Sequence, residues 1–381
     1  MSASTRTPDA APIATDAFTI PLAEVEHELS RQLMAAKEPG EAPAHRARLS
    51  NVVIFCDSPQ QAERLEREIP AVVAEHPARV LLLIGEGDKP GDEITAAVNV
   101  WCQIGGGQRV CSEQVTLRAS GHAVQRLPFS VRGLLNGDLP TNLWWASTQP
   151  PSLAGPLLYD LAENCQQVIY DSNGWVEPAK AMAATSAWVS RFEQSVGRTR
   201  WRVVSDINWR RLKFWRRILT QAFDPASAPE ALETISEVLV EHGPHAVIQS
   251  WLLVSWLASR LGWQVQTGRV QPGVEIAWQV LAPHGALKIR IRRLSEGASE
   301  IQRLRVACNL EGKPGALNFV VQDPLHLAVT PEGPEAVPRT IAIQTPTLAA
   351  LVGRQLSDRE RDPVFSESMA VAQVFAQSVL G

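Results

Sequence analysis

The feature that most constrains this chain is an alternation, in its first half, between short apolar runs and longer amphipathic stretches. Leu49 to Cys56 is apolar and rich in β-branched residues, Pro59 to Glu75 carries helical periodicity, and Arg79 to Ile84 is apolar again. Strand, helix, strand is the signature of a βαβ unit, whose strands run parallel because the crossover helix carries the chain back to its starting end. Ala97 to Ile104 and Val110 to Leu117 then suit a hairpin turning at Gly105-Gly106-Gly107. A helix near Val124 to Leu135, a strand at Asn142 to Ala146, a helix at Leu153 to Asn164 and a strand at Gln166 to Asp171 restore the alternation. An α/β N-terminal domain with a mixed sheet is expected, preceded by an amphipathic helix on Leu22, Val25, Leu29 and Leu33.

The pattern changes after Asp171. Residues 176–192 read as a helix, and Asp206 to Phe223 as one continuous helix capped by Asp206, with Trp209, Leu212, Trp215 or Arg216, and Leu219 on one stripe. Ala231 to Val240 and Ala246 to Leu261 read as two more, the second buried. Strands follow at Val274 to Leu281, Leu287 to Leu294, Ile301 to Leu310 and Leu317 to Gln322, and a helix near Met369 to Leu380 closes the chain. An α+β C-terminal domain with an antiparallel sheet is expected. At 381 residues and 45% hydrophobic content there is enough apolar surface for two cores. The expected layout is a disordered tail at 1–20, the α/β domain at 21–175, a helical linker at 176–200 and the α+β domain at 201–381.

Composition excludes several classes. With 20% charged residues and a net charge of −4, nothing draws the chain globally toward nucleic acid or anionic lipid. Val247 to Leu261 is too short and too interrupted to span a membrane, and the first twenty residues lack the basic start and apolar stretch of a leader. Five cysteines without a C-x-x-C pair suit reduced thiols in a cytoplasmic protein, although Cys102 and Cys111 could meet across the hairpin.

The search for chemistry finds little. Gly85-Glu86-Gly87 follows a strand, but Pro90 removes an amide and Asp88, Asp92 and Glu93 place negative charge where a phosphate would sit. The triple glycine lacks a following Lys-Ser or Lys-Thr. His242 and His245 flank Gly243-Pro244 and cannot share a helical face, so metal ligation is not expected. No G-x-S-x-G elbow is present. Asp138 and Asp171 stand at strand or turn boundaries, where acids ordinarily bond backbone amides; acting as general acid or base in a sugar-phosphate enzyme, with Arg210 or Arg216, is the alternative. No catalytic residue, metal or cofactor is assigned.

Two features point to a surface. Twelve tryptophans against two tyrosines is an unusual balance, and several adjoin arginine: Trp201-Arg202, Trp209-Arg210-Arg211 and Trp215-Arg216-Arg217. These residue types are enriched at protein-binding hot spots, while core packing with a solvated arginine face is the simpler reading of such a helix. In Leu287-Lys288-Ile289-Arg290-Ile291-Arg292 alternation puts Lys288, Arg290 and Arg292 on one sheet face, which Arg303 and Arg305 could join. Like charges there repel unless acids such as Glu275, Glu296 and Glu300, or an acidic partner, meet them.

The run from Leu127 through Asp138 to Trp144-Trp145 resembles the OpcA family closely, as does Val168-Ile-Tyr-Asp171-Ser172. The resemblance continues in order through Asp206 to Arg216, Phe223-Asp224, Trp251 to Trp263 (including Trp256) and Arg361 to Phe365. It covers both expected domains. It implies a non-catalytic partner that helps assemble and activates glucose-6-phosphate dehydrogenase, the NADP-dependent entry to the oxidative pentose phosphate pathway.

Overall fold

The computed structural model describes residues 20–35, 45–46, 48–105, 108–194, 202–226, 228, 230–310, 312–332 and 337–381. The expected tail at 1–20 lies outside them but for Ile20, as do Gly106, Gly107 and Trp201. Contacts divide the chain into two compact units. The first comprises Met1–Thr148, Ala154–Tyr170 and Leu348–Arg359; the second Gln149–Leu153, Asp171–Thr347 and Glu360–Gly381.

Unit 1 realises the alternation. Its strands are β1 (His45–Arg46), β2 (Ser50–Cys56), β3 (Ala78–Glu86), β4 (Ile94–Gly105), β5 (Gln108–Ser120), β6 (Thr141–Trp145) and β7 (Gln167–Tyr170). They are ordered β1-β5-β3-β2-β6-β7, with β4 hairpin-paired to β5. Every pair is parallel except β4–β5, so the sheet is mixed as expected. β2 and β3 are buried along their whole length, which is why they read as unbroken apolar runs and not as alternation. Helix α1 (Val25–Ala35) packs on β4; α2 (Pro59–Glu75), α3 (Leu127–Leu134) and α4 (Pro156–Ala162) are the crossovers.

The hairpin register sets Cys102 opposite Cys111, and the two are joined as a disulfide. The expectation of five reduced thiols is corrected for this pair, because two cysteines facing each other across adjacent strands lie within bonding reach. Cys56, Cys165 and Cys308 are free and buried.

Unit 2 holds an eight-stranded sheet ordered β10-β11-β12-β9-β13-β14-β15-β16. The strands are β9 (Glu237–His242), β10 (Gln264–Gln271), β11 (Glu275–Ala282), β12 (Gly285–Arg293), β13 (Ile301–Leu310), β14 (Lys313–Asp323), β15 (His326–Pro331) and β16 (Arg339–Ala342), while β8 (Val203–Asp206) stands apart from that order. Two expectations are corrected. The end of the helix expected over 231–240 belongs instead to a strand, Glu237–His242: Val238, Val240 and His242 are buried while Glu237, Leu239 and Glu241 are not, a period of two. This strand inserts between β12, to which it runs parallel, and β13, to which it runs antiparallel. The sheet is therefore mixed at that seam and antiparallel elsewhere.

Helix α8 (Val247–Leu261) and α10 (Pro363–Leu380) cover one face of this sheet, and α5 (Pro178–Gln194) packs on α10. Trp251 of α8, Trp278 of β11 and Phe375 of α10 form an edge-to-face chain with centroids 5.0 Å apart at both steps, and Trp278 Nε1 donates to the Phe375 carbonyl. Gly262 ends α8 with φ +67°, a left-handed cap available to glycine without strain. The helix expected over 206–223 is broken at Leu212 into α6 (Ile207–Arg211) and α7 (Lys213–Ala222).

The remaining helix, α9 (Leu348–Ser357), belongs to unit 1 and packs on α2. A Cβ at Gly353 would lie 2.7 Å from Glu75 Cβ, so only glycine permits this approach. His76 bridges the region, with Nε2 2.9 Å from Ser50 Oγ and Nδ1 3.2 Å from Ser357 Oγ. Among the described residues no helix is long and apolar enough to cross a membrane.

Candidate functional site

The central strands of unit 1, β5-β3-β2-β6-β7, have the doubly wound order 3-2-1-4-5, and folds of this order bind ligands outside the carboxyl ends of the strands where the order reverses. That point lies between β2 and β6. Here it is filled. Phe55 and Trp145, both buried, stack at 4.5 Å across it, and Ser147 Oγ donates to Asp57 Oδ2 at 2.6 Å just beyond. A dinucleotide would need glycines and open amides at the turn into α2. The turn instead reads Asp57-Ser58-Pro59: it adds a carboxylate, held by Ser147 Oγ, Ser58 Oγ takes the Gln61 amide, and Pro59 has no amide to offer. The residues present do not fit the cofactor. Asp138 sits exposed in the turn after α3, where its N–H donates to Asn136 Oδ1, and Trp144 is buried beside this region in β6.

In unit 2 the resemblance residues converge on a polar node. Asp206, wholly buried at the start of α6, accepts from the N–H and hydroxyl of Ser172 (3.2 and 2.6 Å) and from the Asn208 N–H at 2.8 Å. Asn208 Nδ2 donates to Ser172 Oγ. Arg211 closes the node with two bonds of 2.7 Å to Asp171 and one of 2.9 Å to Asn208 Oδ1. Burial, reinforced by the neighbouring Asp171 charge and opposed by the Ser172 and Asn208 donors, pushes the Asp206 carboxyl up to about 7.

This shift has a stability consequence. The folded value lies above the ordinary 3.8, so the native state keeps a proton that the unfolded chain releases, and stability falls as pH rises from about 4 to about 7. Between pH 5.5 and 7 the loss is roughly 2 kcal/mol. Asp206→Asn removes it: denaturation at the two pH values is expected to show the variant gaining that amount relative to the parent, and an unchanged difference would refute the assignment.

The tryptophan-arginine helices prove to be inward devices. Trp209 and Trp215 are buried; Trp209 Nε1 donates to Asp362 Oδ2 at 2.7 Å, and the Arg216 guanidinium lies 3.7 Å from the Trp209 ring centroid while donating to the Trp209 carbonyl. Burial, opposed by Asp362 and reinforced by Arg210, lowers the Arg216 value to about 10. Arg210, like Arg216, is half-buried. Trp251 and Trp263 are buried, and Trp256 is half-buried on α8.

The basic strand face is present and is not purely basic. Lys288, Arg290, Arg292, Arg303 and Arg305 lie on the sheet face opposite α8 and α10, and β9 threads Glu237 and Glu241 between them. Arg290 pairs with Glu237 at 2.9 Å, Arg292 with Glu275 at 3.2 Å, and Arg305 with Glu332 at 2.7 Å and Glu237 at 3.2 Å. Of the acids expected as neighbours, Glu275 takes this role; Glu237 and Glu241 come from β9, which the helix expected over 231–240 displaces, and Glu332 follows β15, a strand not expected from the sequence. Among the described residues Arg303, 60% exposed, reaches only Glu241, at 3.7 Å, and Lys288 has no ion pair. A cavity of about 420 Å³ opens on this face between Leu239, Arg303, Arg305 and Asn318.

Residues 70–187 match the glucose-6-phosphate dehydrogenase subunit N-terminal domain, and residues 202–369 its C-terminal domain. The chain belongs to the OpcA family. Curated OpcA relatives include the OxPP cycle protein OpcA of Synechococcus elongatus, 27% identical over 80% of this chain and 68% of its own length. That of Synechocystis is 25% identical over 80% of this chain and 65% of its own. The chain thus spans about two thirds of the length of these OpcA proteins. Among solved structures it is similar to an oxidoreductase from Sinorhizobium meliloti, with a TM-score of 0.50 at 10% identity over 88% of this chain and 97% of that one. The super-repressor mutant of Gal80p from Saccharomyces cerevisiae gives 0.51 at 8% identity, over 88% and 96%. At such identity these two likenesses show the OpcA chain's fold alone.

Proposed function

We propose that this OpcA chain is a cytoplasmic, non-catalytic partner of glucose-6-phosphate dehydrogenase in the oxidative pentose phosphate pathway, and that it activates the enzyme by binding one of its conformational or assembly states more tightly than the others. The observation that carries the non-catalytic part is the filled switch point, where the Phe55–Trp145 stack and the Asp57–Ser147 bond take the place a substrate or cofactor would need. The family's domain descriptions support the choice of partner. A preference of roughly 1–3 kcal/mol for the productive state changes substrate affinity by about 5- to 150-fold without any catalytic group.

The mixed-charge sheet face of unit 2 is the contact we favour. Among the described residues no helix covers it and Lys288 and Arg303 are cations with little or no internal pairing, and its Arg–Glu rows can exchange partners with a complementary surface. The purified chain alone should not reduce NADP with glucose 6-phosphate. Turnover that Asp171→Ala or Asp138→Ala abolishes without unfolding would replace this reading with that of a sugar-phosphate enzyme.

A further inference from the structure

A second cavity, wholly within unit 2, is used by nothing described so far. It measures about 350 Å³, within the range of small-ligand sites, and lies where the β10–β11 turn meets the start of α8. Its walls are apolar and aromatic: Trp175, Val247, Val270, Val274, Ile276 and Ile291.

Its polar groups are few and sorted by depth. His242, 3% exposed, lines the cavity; its Nδ1 lies 2.7 Å from the Gly243 carbonyl, which can only accept, so Nδ1 carries the proton. Nε2 is therefore an acceptor, and it has no partner among the described residues. Burial, opposed by the Gly243 carbonyl and reinforced by the Arg293 charge, holds this imidazole below the ordinary histidine range and so in its neutral form. At the exposed side stand Arg293 and His245, and among the described residues no carboxylate lies within ion-pair distance of Arg293. Glu275, the one acid in the lining, is already held by Arg290 and Arg292. Helix α8, fifteen residues long, begins here at Val247 with Ala246 as its cap, and no side chain closes its first turn.

The interior asks for a flat apolar body that carries one hydrogen-bond donor, and the mouth asks for an anion. We propose that this cavity binds a mononucleotide-sized ligand, an aromatic heterocycle seated against Trp175 with an amino group donating to His242 Nε2 and a phosphate held by Arg293 and the N-terminus of α8. The fit rests on the cavity alone and is independent of the partner reading above.

Adenosine monophosphate is the probe, titrated calorimetrically into the isolated chain beside adenosine, inorganic phosphate and inosine monophosphate. Inosine monophosphate presents a carbonyl where the adenine has its amino group, so it sets acceptor against acceptor at His242. Adenosine monophosphate is expected to bind about tenfold or more tighter than each of the other three. Arg293→Gln, at an exposed position that the fold does not need, should weaken it about tenfold while leaving adenosine within about twofold. Absence of saturable binding at millimolar concentration, or equal affinity for the adenine and hypoxanthine nucleotides, or an unchanged Arg293→Gln variant, overturns the proposal.

Discussion

Replacing Arg211 by methionine is expected to lower the unfolding free energy by about 3–5 kcal/mol, the largest single effect anticipated in this chain. The guanidinium makes three hydrogen bonds at 2.7–2.9 Å in a largely buried site, two of them the fork to Asp171. Methionine keeps much of the volume and none of the charge, so the Asp171 carboxylate is left unpaired beside the buried Asp206. The damage comes from that stranded anion more than from the lost attraction, and this can be read separately. Asp171→Asn in the Arg211→Met background should recover much of the loss, giving a strongly non-additive double-mutant cycle in urea denaturation. Additive costs would mean that the two side chains do not act as a pair. The same node makes Asp171 a positioning residue of the fold, which is why its substitution is expected to be felt in stability before any functional assay.

Charge reversal of Lys288 and Arg303 together is expected to weaken association with glucose-6-phosphate dehydrogenase on the order of 100-fold while leaving stability nearly unchanged. These two are the cations on the sheet face with the least internal pairing: Lys288 has none among the described residues, and Arg303 is 60% exposed and 3.7 Å from Glu241. Arg290, Arg292 and Arg305, by contrast, each hold two glutamates, so reversing them would disturb the Arg–Glu rows as well as the surface. Surface plasmon resonance at two ionic strengths gives the readout, since a contact of this kind should also weaken with salt. An unchanged affinity clears this face of the role. Arg210→Glu then becomes the next variant to try, as Arg216 is committed to Trp209.

What could be read from the residues follows from how strongly each pattern is tied to one period. The buried strands β2 and β3 with α2 between them were legible because a parallel sheet covered on both faces demands continuous apolar runs. Residues 237–242 were not: the alternation Glu-Val-Leu-Val-Glu-His is only six residues long, and the helix-favouring Ala231 and Leu232 lie just upstream. Missing that strand also hid the glutamates that neutralise the arginine face, since their position depends on β9 sitting between β12 and β13. The break at Leu212 between α6 and α7 carries no glycine or proline to announce it. The tryptophan-arginine stripe was visible and core packing was its simpler reading, but the partners that hold Trp209, Phe365 and Asp362 about 150 residues downstream, were not. The filled switch point was likewise out of reach, because Phe55 and Trp145 are ninety residues apart in sequence and meet only through the β2–β6 pairing.

The mode of action comes down to whether this molecule changes another enzyme without chemistry of its own. The most direct measurement is to titrate it into glucose-6-phosphate dehydrogenase from the same organism, following co-elution together with the half-saturating concentration of glucose 6-phosphate. A discrete complex whose half-saturation falls by about 5- to 150-fold is the predicted result. A dehydrogenase that elutes alone and keeps its kinetics at saturating amounts of the added chain would contradict it.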